Sequence, residues 1–220
     1  MHLLSSPDVS RLSSLRRFTS LFTQGQSADA LYVIDEGLVK LTRTNEAADR
    51  IILSIAGPGD LIGEEVMSAE HSAYQADAEV LTPASLYRVP RETLQKALSQ
   101  NSELSAAIID FLLNRRHMLA QKVELLCLHD VEYRILYYLA ELANLVSPAS
   151  GAEGYNLPIT QAELADLIGA TRETTSTTLN QLERKGLVKL SRRLLTIPSP
   201  STLLNANTAA RDGAAKVETA

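Results

Sequence analysis

Residues 160–178 read Thr160-Gln161-Ala162-Glu163-Leu164-Ala165-Asp166-Leu167-Ile168-Gly169-Ala170-Thr171-Arg172-Glu173-Thr174-Thr175-Ser176-Thr177-Thr178. Thr160 with Glu163 three residues on has the capping-box form, in which hydroxyl and carboxylate satisfy two free amides at a helix start. Leu164, Leu167 and Ile168 then share one helical face. Gly169-Ala170 allows a sharp turn, Thr171 is a second N-cap, and Arg172 to Lys185 reads as a second helix. Gly186 stands where a helix end takes a left-handed residue. Ala165 is small where two helices must approach. Helix, tight turn, helix predicts a helix-turn-helix, the motif that lays its second helix in a DNA major groove.

Downstream, Gly186 to Leu190 and Leu194 to Ile197 read as two short strands joined by Ser191-Arg192-Arg193, a β-wing with two arginines at its tip. The Thr and Ser run of the second helix is poor in helix propensity. It suits a groove, where hydroxyls meet phosphates and bases, methyls meet thymine, and Arg grips guanine. The candidate DNA-contacting residues are Thr171, Arg172, Glu173, Thr175, Ser176, Thr177, Arg192 and Arg193.

Upstream, Val131 to Val146 reads as a helix ended by Ser147-Pro148-Ala149-Ser150-Gly151. From Asn101 to Asp130 there is neither Gly nor Pro, so one helix of roughly 40 Å fits. Leu112, Leu119 and Leu126 recur every seven residues, with Ile108, Phe111 and Val123 widening the stripe. That spacing predicts a parallel seam between two copies, with Ile108, Leu112, Leu119 and Leu126 as dimerisation residues. Arg115 and Lys122 fall near the seam; the alternative is a helix packed on its own domain.

Between Phe18 and Val89 the pattern changes to short apolar runs broken by Gly, Pro and Asp. Leu31 to Ile34, Leu38 to Thr42, Ile51 to Ile55, Val80 to Thr82 and Ser85 to Val89 read as strands of a compact antiparallel sandwich or barrel. Pro90-Arg91-Glu92 then opens a helix. The fold class is α+β: a β-roll over 1–100, a dimerisation helix over 101–130, a winged helix-turn-helix over 131–200, and a weakly structured tail over 201–220.

The net charge of −5 is unevenly spread. Residues 1–155 hold thirteen Lys and Arg against twenty Asp and Glu, whereas residues 156–197 hold six against four. An acidic body with a locally basic segment selects the docking face for phosphates. The single cysteine, Cys127, excludes an internal disulfide, a four-cysteine zinc site or an iron–sulfur cluster, and reads as a small apolar residue on a helix. No run is long and apolar enough to span a membrane, and Met1-His2-Leu3-Leu4-Ser5 has no signal pattern, so a cytoplasmic location is expected.

With these residues in hand, the chain resembles the cyclic-AMP receptor/fumarate–nitrate regulator (Crp/Fnr) family over roughly residues 18–200. The resemblance rests on Thr171-Arg172-Glu173-Thr174 followed by Leu179 and Leu182, and on Gly57-Pro58-Gly59-Asp60-Leu61-Ile62-Gly63-Glu64. Ala30-Leu31-Tyr32-Val33 with Gly37-Leu38-Val39 adds to it. It implies a cyclic-nucleotide-binding-like, cupin-type β-roll, a homodimer on a palindromic operator, and RNA polymerase as partner.

The resemblance also points to an effector pocket at Gly63, Glu64, His71, Ser72, Ala73, Leu119 and Ala120. Cyclic-AMP sensors of the family hold the ribose with the Glu of a Gly-Glu pair and the phosphate with an Arg-Ser pair. Here His71-Ser72-Ala73 lacks the Arg, and Leu119-Ala120 replaces the hydroxyls that meet adenine, which argues against cyclic AMP. The cysteines of the oxygen-sensing branch are absent. Thr174-Thr175-Ser176-Thr177 and Leu179-Asn180 resemble the haem-bearing carbon-monoxide sensors, and His71 and His117 are the residues that could ligate haem.

Two other classes compete with this reading. One is a small-molecule- or haem-binding sensor module with no direct DNA role, against which the helix-turn-helix argues. The other is a β-barrel metalloenzyme, which needs clustered ligands. His2, His71, His117 and His129 form no His-x-His pair, and no catalytic residue or metal site is expected.

Overall fold

Apolar residues at alternate positions of Ala30–Glu36 and Ala84–Pro90 build the central strands of the N-terminal unit, because alternate side chains of a strand share a face. The computed structural model describes residues 3–68, 73–148, 154–191 and 194–207. The chain forms two compact units, Met1–Lys122 and Val123–Ala220.

The strands of the first unit are β1 (Ser10–Leu15), β2 (Ser20–Phe22), β3 (Ala30–Glu36), β4 (Val39–Thr44), β5 (Arg50–Ala56), β6 (Leu61–Ile62), β7 (Asp77–Val80) and β8 (Ala84–Pro90). They make two antiparallel four-stranded sheets, in orders β1-β8-β3-β6 and β2-β7-β4-β5. One core joins them: Ala30, Tyr32, Ile34 and Leu86 from the first sheet meet Phe22, Val39, Leu41, Ala78 and Val80 from the second. This is the expected β-roll. Strands β1, β2 and β6 were not expected, and the strand expected over Val80 to Thr82 lies earlier, as β7, with Leu81 and Thr82 in the bend after it.

Helix α1 (Arg91–Gln100) starts after Pro90, as its sequence predicts. Helix α2 (Ser102–Leu128) follows, unbroken for 27 residues. A second apolar cluster of Leu31, Val66, Val89, Leu94 and Ile108 covers the first sheet with α1 and the first turns of α2. Ile108, expected at an intermolecular seam, is therefore 7% exposed inside its own domain.

In the second unit, α3 (Val131–Asn144) is capped by Asp130, whose carboxylate accepts from the Tyr133 N–H at 2.8 Å. Next come β9 (Tyr155–Leu157), α4 (Gln161–Ile168), α5 (Arg172–Arg184), β10 (Lys189–Leu190) and β11 (Leu195–Ile197), with a small sheet in order β10-β11-β9. Ile135, Leu139, Leu164, Leu167, Leu179, Leu182 and Leu195 are among its buried apolar residues. Residues 200–207 form a further helical segment with Leu203 wholly buried, where a weakly structured tail was expected. Among the described residues, no helix is long and apolar enough to cross a membrane.

Candidate nucleic-acid interface

The capping box at the start of α4 forms as its sequence demands. The Thr160 hydroxyl accepts from the Glu163 N–H at 3.1 Å, and the Glu163 carboxylate accepts from the Thr160 N–H at 3.0 Å. Helix α4 ends on Gly169 with φ 63 and ψ 46. A Cβ there would stand 2.8 Å from Leu126 Cδ2, so glycine serves both the left-handed turn and the close approach. The Arg134 guanidinium donates to the Ile168 carbonyl at 2.8 Å, tying the turn to α3. These contacts fix where α5 begins.

Thr171 caps α5, its hydroxyl accepting from the Thr174 N–H at 3.2 Å. Thr175, Leu179 and Leu182 form the buried side of the helix. Thr175, expected to face DNA, is fully buried, and its hydroxyl donates to the Thr171 carbonyl at 2.8 Å. It stands four residues before Leu179 and so shares that side. The Thr178 hydroxyl is similarly engaged with the Thr174 carbonyl at 2.9 Å.

Arg172, Glu173 and Thr177 are exposed and Ser176 is half-buried. No described residue bonds the hydroxyl of Ser176 or Thr177. Of the Thr and Ser run, then, the uncommitted hydroxyls are those one turn beyond Arg172 and Glu173. Asn180 and Arg184, further along, are also exposed. The sequence reading missed both, although helical spacing from Glu173 and Thr177 leads to them. Strands β10 and β11 pair as a wing, and the Leu190 N–H donates to Glu183 of α5 at 2.8 Å. Arg192 and Arg193 lie outside the described residues.

In the first unit, Gly63 has φ 82, and a Cβ on it would come within 3.0 Å of both the Ala30 carbonyl and the Tyr74 ring. Glu64 lies 3.6 Å from Arg115 of α2. Burial pushes the Glu64 carboxyl above its ordinary range, and Arg115 offsets part of that rise. Ala73 bridges to Ser27, whereas His71 and Ser72 lie outside the described residues. Leu119 and Ala120 are exposed on α2, Leu119 one turn beyond Arg115. His117 is exposed on α2. Cys127, read as a small apolar helix residue, is exposed rather than buried.

Helix α2 has two distinct sides in the first unit. Ile108, Arg115 and Lys122, seven residues apart, turn toward the β-roll, with Lys122 donating to the Ile52 carbonyl at 2.7 Å. Ile109, Leu112, Leu113 and Leu119 are exposed. Leu126, in the second unit, is half-buried beside Gly169. Of the four expected seam residues, Leu112 and Leu119 are exposed, while Ile108 and Leu126 pack within the chain.

Residues 12–101 match the family model described as Cyclic nucleotide-binding domain, and residues 133–206 match the Crp-like helix-turn-helix domain. The chain belongs to the Crp/Fnr family of transcription regulators. This regulator is 26% identical over 194 residues to the global nitrogen regulator of Nostoc sp., covering 87% of each chain. It is 26% identical to the CRP-like cAMP-activated global transcriptional regulator of Mycobacterium tuberculosis, over 84% of this chain and 82% of that one. A solved CRP-family transcriptional regulator from Thermus thermophilus superposes with a TM-score of 0.76 at 25% identity, covering 90% of this chain and 96% of that one. The regulator thus binds DNA through its helix-turn-helix and carries a cyclic-nucleotide-binding-like sensor domain. A sensor module without a DNA role does not fit these matches.

Proposed function

We propose that the regulator acts as a homodimer that sets α5 of each copy into successive major grooves of a palindromic operator. Residues 1–100 serve as sensor, 101–130 as pairing helix and 131–200 as reader. The observation that carries this is the exposed side of α5: Glu173 and Thr177 stand opposite the buried Thr175, Leu179 and Leu182, and exposed Arg172 and half-buried Ser176 flank them on the side nearer Leu179. First-turn residues reach base edges in this motif. Arg172 pairs with guanine and Glu173 accepts from cytosine, while Arg192 and Arg193 of the wing hold phosphates, which position without specifying. The exposed row Ile109, Leu112, Leu113 and Leu119 supports pairing, since contiguous apolar surface is rare unless it meets a partner. RNA polymerase is the partner at the promoter.

Cyclic AMP is not the effector on this reading. The Arg-Ser pair for the phosphate is missing, and Glu64, which would take the ribose, faces Arg115 of its own chain. Relatives named for cyclic AMP and for nitrogen regulation are equally similar, so similarity alone favours neither signal.

Enrichment of bound duplexes from a randomised pool tests the groove assignment. Arg172→Ala or Glu173→Ala should cost about 1–3 kcal/mol and relax base preference at one position of each half-site. An unchanged sequence for Glu173→Ala, together with an altered one for Arg193→Ala, would contradict it.

A further inference from the structure

The outer line of α5 continues past Thr177. Successive helical residues turn by about 100°, so Glu173, Thr177, Asn180 and Arg184 fall within roughly 60° of one another. All four are exposed, on the side away from Thr175, Leu179 and Leu182. Arg184 closes the line. No described residue bonds its guanidinium, whereas the adjacent Lys185 is held by Glu132 at 2.6 Å. Two neighbouring cations thus have different fates: one ties α5 to α3, and the other is left facing outward.

The position of Arg184 along the helix says what it meets. It lies twelve residues beyond Arg172, about 18 Å along the axis at 1.5 Å per residue. A major groove is only about 12 Å wide. With the first turn of α5 on base edges, the last turn emerges at the groove wall, where the accessible groups are backbone phosphates. Thr177, midway along the line, brings no charge, so Arg184 is the cation of the distal half of the helix. We infer that Arg184 anchors α5 to a backbone phosphate of the operator, independently of base sequence. The inference rests on α5 being the recognition helix.

The test uses the full-length wild type, Arg184→Gln, Arg184→Lys and Arg172→Ala on the duplex that the wild type enriches. Affinity is titrated between about 50 and 200 mM salt, where each lost phosphate contact lowers the slope of log affinity on log salt by about 0.9. Arg184→Gln keeps good helix propensity and should melt with the wild type. It should lose about 0.9 of slope per half-site, so the wild type's affinity falls about 3.5-fold more than the variant's, per half-site, over that range. Its enriched sequence should be unchanged, and Arg184→Lys should keep the slope. An Arg184→Gln slope equal to the wild type's overturns the inference, as does a changed base preference at constant slope. If the wild type enriches a sequence that Arg172→Ala alters while Arg184→Gln is silent, only the Arg184 anchor fails. If the wild type enriches no sequence, the recognition-helix reading fails with it.

Discussion

Lys122 bears the cost of a buried charge. It is 7% exposed, and burial lowers its pKa to about 8 from an ordinary 10.5. Between those values the unfolded chain holds a proton that the folded chain has released, so stability rises with pH through that window. Burial pushes Tyr74 and Tyr138 up to about 12, so they act only above the ordinary tyrosine value near pH 10. Lys122→Met keeps the stem and removes the ionisation. Urea melts at about pH 8, 9 and 10 should show a flatter profile for the variant, with up to roughly 3 kcal/mol of pH-dependent difference across the full window. Parallel profiles would mean that Lys122 titrates normally. At this scale residue types were more legible than directions. Arg172 and Glu173 could be read from the motif. The burial of Thr175 was encoded by its spacing to Leu179, but the attraction of a hydroxyl-rich run concealed it. The pairing of Glu64 with Arg115 joins residues 51 apart in sequence, and no local pattern carries it.

Among the elements, α2 carries two rows of the same periodicity, of which one packs on the β-roll. Heptads 108/115/122 and 112/119/126 lie side by side on the helix, and a seven-residue count cannot say which faces the β-roll. Burial separates them: Ile108 belongs to the domain core, and Leu119 is 45% exposed. Leu119→Glu should therefore leave the β-roll intact yet give monomers by sedimentation, because a dimer would bury an unpaired carboxylate. Ile108→Ala should do the reverse, remaining dimeric while costing about 2–5 kcal/mol through the cavity it leaves. A Leu119→Glu protein that sediments as a tight dimer would remove α2 from the interface. Long elements with strong pattern were legible: α2, α3, α4, α5 and strands β3, β4, β5 and β8. Strands β1, β2, β6 and β9 escaped for two reasons. Ser10–Leu15 is mostly polar and exposed, with no clean alternation, and the others span only two or three residues.

Over the chain as a whole, the positive excess is confined to residues 156–197, with six Lys and Arg against four Asp and Glu, while residues 1–155 hold thirteen against twenty. Phosphates are therefore drawn to the helix-turn-helix and wing segment and repelled by the acidic stretch before it. A sensor without the phosphate-binding Arg should take up cyclic AMP no more tightly than the high-micromolar range, roughly −5.5 to −6 kcal/mol, by calorimetry. Sub-micromolar binding that raised operator affinity would show the pocket to be misread. Whether two copies read one operator through α5 can be seen in a hydroxyl-radical footprint on the enriched duplex. Two protected patches are expected, related by two-fold symmetry about an inverted repeat, with half-site centres one helical turn or about 34 Å apart. A single unsymmetrical patch, or uniform protection with no preferred sequence, would rule out a paired reader.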